Sequence, residues 1–567
     1  MRQIRTGPVS FTLLEGDLRS IRLGGVEVLR RLSYPVRDPQ WGTHAVETLS
    51  EELHEGAEGV TYTRRFAGRG AIFGGIFRAV VRPLPSGAHL LLSVEMDAPA
   101  DLAVNRAGFT LLHPLRGVSG AALRVIHPDG SEEATEWPRL ISPAQPVRDI
   151  AGLSHVVDGV TVDIRMRGEV FEMEDQRNWS DASYKTYCRP LAWPLPFALG
   201  PAAPVRQELD ITLTGAPVAA VTGDAAHDGS LPHVAVAVEP GLTVARVLAG
   251  LEALPRLLRV RADAAVEVLA GFATGGPVTL EVILPDDDDP AASLAALALR
   301  CAAAGLRPLR VVALRESYMK SHQPDGVWPK GPRPMDLIAG VRSAFPQAAA
   351  GGGMFTNFTE FNRCRPDPAQ IDFVTWGGTA IVHAADDLSV METLEALPQI
   401  FASGRAIARG RPLHLGMFSI GMRSNPYATD CLPNPAMERL AMVRDDPRQA
   451  TGFAAAFAAG VLAGAAAGGV ASLALSMTDG PLGAEGRPLA QVVAWAAARA
   501  GMACRVRGGD VVRIDTAKGA LLANIGGEAV ALPDGARGRL LGESGPRDLG
   551  GVSLVPCGVA FLEGGGA

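Results

Sequence analysis

Two glutamates, Glu316 and Glu360, stand just past runs that read as neighbouring β-strands, PLRVVALRES and the glycine-rich stretch ending in MFTNFTEFNR. Adjacent strands lie about 4.8 Å apart, so carboxylates on one rim can flank a single substrate bond. Such a pair serves as acid and base, or as acid and nucleophile, when its two environments split the pKa values. The competing reading is two salt bridges, Glu316 with Arg315 or Lys320 and Glu360 with Arg363.

Other polar residues fall at the ends of the same kind of run. Tyr318 follows Glu316, and Asn357 precedes Glu360. Trp376 offers a sugar-stacking face or a packing ring. His383 is a candidate base or an ordinary loop histidine. Arg423 and Asp479 close the set. A second dense cluster, FEMEDQRNWSDASYKTY, brings Glu174, Asp175, Asn178 and Lys185 together with Trp179 and Asp181. It reads as a solvated edge, or as a loop that closes over a polar ligand.

Familiar alternatives lack their residues. GMFSIG has the wrong spacing for a G-x-S-x-G nucleophile elbow. The eleven histidines include no HExxH or paired-histidine strand, so no dedicated zinc site is expected. There is no P-loop and no GxGxxG, and nothing requires an organic cofactor. The expectation is no cofactor and no metal.

The elements that must position these residues change rhythm along the 567 residues. Up to about Gly215, short alternating apolar runs separated by turns predict an antiparallel β-sandwich. From about His233, eight strand–helix units follow within roughly 270 residues, beginning HVAVAVEPG then LTVARVLAGLEAL. Near-continuous apolar strands suit a parallel sheet buried on both faces, and eight units match a (β/α)8 TIM barrel, whose active site lies at the C-terminal strand ends. Short β runs return after about Met502. The expected division is therefore residues 1–220 as an N-terminal β-sandwich, 221–501 as a TIM-barrel catalytic domain and 502–567 as a small C-terminal β domain.

Composition narrows the partners. Lys and Arg number 53 against 60 Asp and Glu, a net charge of -7, and aromatics make up 5% of residues. Neither a basic surface for nucleic acid or anionic lipid nor a base-stacking platform is indicated. Six scattered cysteines without a CxxC pair are no disulfide scaffold. The N-terminus carries no secretory pattern, so a cytoplasmic protein is expected. The Ala/Gly-rich stretch 452–477 is long enough to span a bilayer. Phe453, Phe457 and Val461 recur at helical spacing, however, and Gly468-Gly469 breaks the run, which predicts one buried helical stripe followed by a strand. The Asp286–Asp289 run reads as a solvated loop or helix N-terminus.

FEMEDQRNWSDASYKTY, GGGMFTNFTEFNR and DFVTWGGTAIVHAADD together resemble the D-apionate lactonase family of bacterial sugar-acid catabolism, over the whole chain. The resemblance implies a β domain, a TIM barrel and a second β domain, and cofactor-free hydrolysis of D-apionolactone to D-apionate. A lactone is planar at its carbonyl carbon, so two glutamates can serve without a serine nucleophile. One activates water and the other protonates the departing ring oxygen. Asn357, Arg423 or Lys185 would stabilise the oxyanion. A two-glutamate glycoside hydrolase and a non-catalytic carbohydrate-binding protein remain alternatives. A small sugar lactone is the expected partner; the oligomeric state is not legible.

Overall fold

A computed structural model describes residues 2–218 and 226–564, and the chain divides into two compact units. The first comprises residues 1–176 and 182–223; the second comprises 177–181 and 224–567. The expected boundary at 220–221 lies outside the described residues.

The first unit is built on two antiparallel sheets. One has eight strands and runs from Arg2–Thr6 at one edge to Val147–Ile150 at the other; the second has nine, from Glu132–Glu136 to Val46–Gly56. Gly59–Gly68 alternates between buried and partly exposed residues, the pattern of a strand with one face in a core. Tyr34, just past the strand Val26–Ser33 of the first sheet, stacks on Phe77 of the second at 4.6 Å between ring centroids.

The second unit contains a nine-stranded parallel sheet. In chain order its strands are β1 (His233–Val238), β2 (Arg256–Arg261), β3 (Val278–Leu284), β4 (Arg310–Arg315), β5 (Ala349–Gly353), β6 (Phe373–Thr375), β7 (Gly378–Thr379), β8 (His414–Ser419) and β9 (Ser472–Met477). Their spatial order is β6-β5-β4-β3-β2-β1-β9-β8-β7. Only Trp376 and Gly377 separate β6 from β7, and Val374 of β6 forms a parallel bridge with Leu413 at the foot of β8. The glycines of β5 are there for space. A Cβ on Gly351 would run into the Phe373 ring, and one on Gly353, at φ +145°, into the Thr375 carbonyl.

Two expectations are corrected. Residues 242–254 form turns rather than a helix. Asp479 accepts hydrogen bonds from the backbone amides of Val244 and Ala245 at 3.0–3.1 Å, and Gly250 sits at φ +76°. These fix a turn where apolar spacing alone suggested a helix. The Ala-rich helix Gly452–Ala467 is buried nearly all round, so Phe453, Phe457 and Val461 do not form a single stripe. Among the described residues no helix is long and apolar enough to cross a membrane.

Asp289 caps the helix Pro290–Ala303 by accepting from Ala291 N at 3.0 Å, the helix-terminus reading of the acidic run. Near the C-terminus, Ala503–Arg507, Val511–Thr516, Gly519–Asn524, Arg537–Leu540, Arg547–Asp548 and Val559–Leu562 form a seven-stranded sheet that also takes in His227–Ser230.

Candidate functional site

Three side-chain groups in the second unit gather polar chemistry, two past the C-terminal ends of its parallel strands and one that reaches down into β2 and β3. The first surrounds Glu360. A helix begins at Phe358 directly after β5, and Glu360, 2% exposed, sits in its first turn. Its Oε2 accepts from Thr356 Oγ1 at 2.9 Å and from the Asn357 backbone N–H at 3.0 Å, as in a capping box. The Tyr427 hydroxyl donates to its Oε1 at 3.4 Å and accepts from Asn357 Nδ2 at 3.1 Å. Burial, then the Glu360 charge, pushes the Tyr427 hydroxyl well above its ordinary value and keeps it a neutral donor.

The second group is a buried charge cluster. Arg259 on β2 stands in register with Glu281 on β3 and donates to it at 2.8 Å. Arg423, past β8, donates to Glu281 through Nη1 and to Glu239, just past β1, through Nε, each at 2.9 Å. Arg259 also reaches Ser424 Oγ at 2.7 Å and the Phe355 carbonyl at 2.9 Å, which brings this group up against the β5 end that carries Glu360. Two acids and two guanidiniums balance, as buried charges require. Burial and the neighbouring Arg259 push the Arg423 guanidinium below its ordinary value, against the pull of Glu281 and Glu239. Nη2 of Arg423 is buried with no hydrogen-bond partner among the described residues.

The third group joins His383, past β7, to Asp181. His383 Nδ1 lies 2.7 Å from Asp181 Oδ2. Trp179 meets the His383 ring edge-on at 5.4 Å and carries the Arg363 guanidinium over its own ring at 5.3 Å.

Other expected site residues are engaged elsewhere. Glu316 is exposed, pairs with Arg261 at 3.2 Å and makes no hydrogen bond or ion pair with Glu360. Trp376 is not an open sugar platform. It is fully buried, stacked on Phe361 at 4.6 Å, and a Cβ on Gly404 would strike its ring. Tyr318 is 1% exposed and packs against Trp328. Asp479 is committed to the amides of the 244–245 turn.

The FEMEDQRNWSDASYKTY motif divides between the units. Residues 177–181 pack with the second, where the Asn178 carbonyl accepts from Thr359 Oγ1 at 2.7 Å and its Oδ1 from Asn362 at 3.0 Å. Glu174, Asp175 and Lys185 belong to the first. There Lys185 pairs with Glu174, and Asp175 accepts from Ser142 N at 3.0 Å. Burial lowers Lys185 to about 8.

Comparison with known proteins identifies the family. The D-apionate lactonase TIM barrel domain matches residues 242–501, and the D-apionate lactonase N-terminal domain matches residues 1–216. A D-apionate lactonase from Brucella anthropi is 38% identical over 517 residues, covering 86% of this chain and 84% of the relative. The chain belongs to the D-apionate lactonase family. Membership makes it a lactone-hydrolysing enzyme, a carboxylic-ester hydrolase. Superpositions on solved structures are looser. A family 44 xyloglucanase from Paenibacillus polymyxa aligns at 10% identity over 59% of this chain and 97% of that one, with a TM-score of 0.35. A family 36 α-galactosidase from Geobacillus stearothermophilus aligns at 10% identity over 99% and 98%, with a TM-score of 0.27.

Glu239, Arg259 and Glu281 were not singled out from the sequence. Arg259 and Glu281 interrupt otherwise apolar strands, RLLRVR and VTLEVIL, and a charge inside a strand buried on both faces is the signal that marks them.

Proposed function

We propose that the chain hydrolyses D-apionolactone to D-apionate by general acid/base catalysis at the C-terminal rim of its parallel sheet. The observation that carries this reading is Glu360: a buried carboxylate anchored through one oxygen by Thr356 and Asn357, with the other turned toward Tyr427. Glu360 is given the acid role, passing a proton to the ring oxygen as the C–O bond breaks. Arg423, with its unpartnered Nη2, and Asn357 supply donors for the oxyanion. The water-activating base is a second group on the same rim, for which Glu316 and His383 are the candidates.

The fold that accompanies this reading is a closed (β/α)8 barrel in which β6 and β7 form one interrupted sixth strand. An N-terminal β-sandwich precedes it and a C-terminal β domain follows, over 1–220, 221–501 and 502–567. The Val374–Leu413 bridge supports closure, and the Tyr34–Phe77 stack supports a sandwich.

Substrate choice is tested by proton release from D-apionolactone, with EDTA present, beside release of the aryl group from aryl glycosides. Lactone turnover without glycoside turnover is expected. Glycoside turnover alone would replace this reading with a glycosidase.

A further inference from the structure

We propose that His383 is the general base that removes a proton from the attacking water, with Asp181 as its positioning residue. The assignment rests on the lactone-hydrolysing reading of the site and names the base that reading requires. Its foundation is geometric. Asp181 Oδ2 holds His383 Nδ1 at 2.7 Å, which fixes the ring and leaves Nε2 as the working nitrogen. The His383 and Asp181 side chains are 23% and 20% exposed, so the pair is sheltered yet open to a water molecule.

The segment that delivers Asp181 is built to do so. Residues 177–181 pack with the second unit, while both flanks pack with the first. Arg177 donates to Gln399, Asn178 is bonded by Thr359 and Asn362, and Trp179 packs with Val382 and Met422. Ser180, directly before Asp181, takes the left-handed backbone at φ +71°, a conformation unfavourable for a non-glycine residue.

The dyad also lies near Glu360. Tyr427 packs against the same Trp179, Val382 and Met422 cluster and reaches Glu360 with its hydroxyl. Asp181 and, beyond the Trp179 ring, Arg363 are charged groups beside the imidazole. Glu316 is 53% exposed and tied to Arg261, with no such orienting partner.

The step balances. Water adds to the lactone carbonyl carbon as one of its protons passes to His383 Nε2. The tetrahedral intermediate collapses with cleavage of the ring C–O bond, and the ring oxygen takes its proton from Glu360. The new carboxylic acid ionises to solvent, and the His383 proton returns to Glu360. One proton is released per lactone opened.

The test is steady-state proton release from D-apionolactone by the full chain as wild type, His383→Ala, Asp181→Asn and Glu316→Gln, with imidazole then added to His383→Ala. The expected result is a fall in kcat of about 100-fold or more for His383→Ala with KM within about threefold, partial recovery with imidazole, a smaller fall for Asp181→Asn, and a fall for Glu316→Gln well below that for His383→Ala. Should His383→Ala not fold, His383→Gln is measured in its place, and the same loss in kcat at unchanged KM supports the assignment. A kcat within about threefold of wild type in the histidine variant, or a loss that imidazole leaves untouched, overturns it. Absence of turnover by wild type would instead defeat the D-apionolactone reading itself.

Discussion

The Tyr427 hydroxyl lies 3.4 Å from Oε1 of Glu360, and it is buried deeply enough to remain protonated. The two residues come from different connections, Tyr427 from a loop past β8 and Glu360 from the first turn of the helix that follows β5, so their meeting is a product of the fold rather than of local sequence. Removing the hydroxyl in Tyr427→Phe leaves the ring packed but frees Glu360 Oε1 and Asn357 Nδ2 from a shared partner. A drop in kcat of about 10-fold to 100-fold with little change in Tm is expected, measured by proton release and thermal melting.

Trp376 should behave as a core residue. Trp376→Ala is expected to cost about 3–5 kcal/mol in denaturant unfolding, and Gly404→Ala about 1–3 kcal/mol because its methyl would press into the indole. A Trp376 variant that keeps its stability and loses only substrate affinity would contradict that role.

The charge cluster gives a third prediction. Glu281 is 1% exposed and pairs with both Arg259 and Arg423, whose charges it balances together with Glu239. Glu281→Ala leaves two guanidiniums with Glu239 as their one remaining acid in the cluster and should cost about 3–5 kcal/mol, readable as a loss of folded protein in urea. Glu281→Gln, which keeps the shape and one acceptor, should cost less.

Acid sensitivity follows from His155 in the first unit. It is 3% exposed, and burial lowers it to about 4 from 6.5, against a weaker opposing pull from Asp163. Because the folded value is depressed, the fold favours the neutral ring. That stabilisation is fully present above pH 6.5 and is lost as pH falls toward 4. The loss is about 3 kcal/mol for His155, to which buried His113, also lowered by burial, adds in the same direction. Melting between pH 7 and pH 4.5 should show this slope, and His155→Phe should shallow it without abolishing it.

Most of the parallel strands were readable because they are short, largely apolar runs. Residues 242–254 misled because apolar spacing reports neither the Asp479 carboxylate that takes their amides nor the turn at Gly250. Glu360 was visible from its place after a strand. Its link to Tyr427 was not, because nothing local pairs residues 67 positions apart. Which of its two readings holds for Trp376 was hidden for a similar reason: its place on the rim is local, while Phe361 and Gly404, which bury it, are brought up by the fold. Asp181 stood out within an unusual motif, yet only the fold joins it to His383.

The central claim is that Glu360 carries acid/base chemistry on a lactone. It is tested most directly by proton release from D-apionolactone, corrected for spontaneous hydrolysis, for wild type and Glu360→Gln with EDTA present. Gln can still accept from Thr356 and Asn357, so the helix cap should survive with a stability change of about 1 kcal/mol or less. Rapid release by wild type and a fall of about 100-fold or more in a folded Glu360→Gln variant is the predicted result. Wild-type release that the substitution leaves intact would contradict the account and reduce Glu360 to a helix cap.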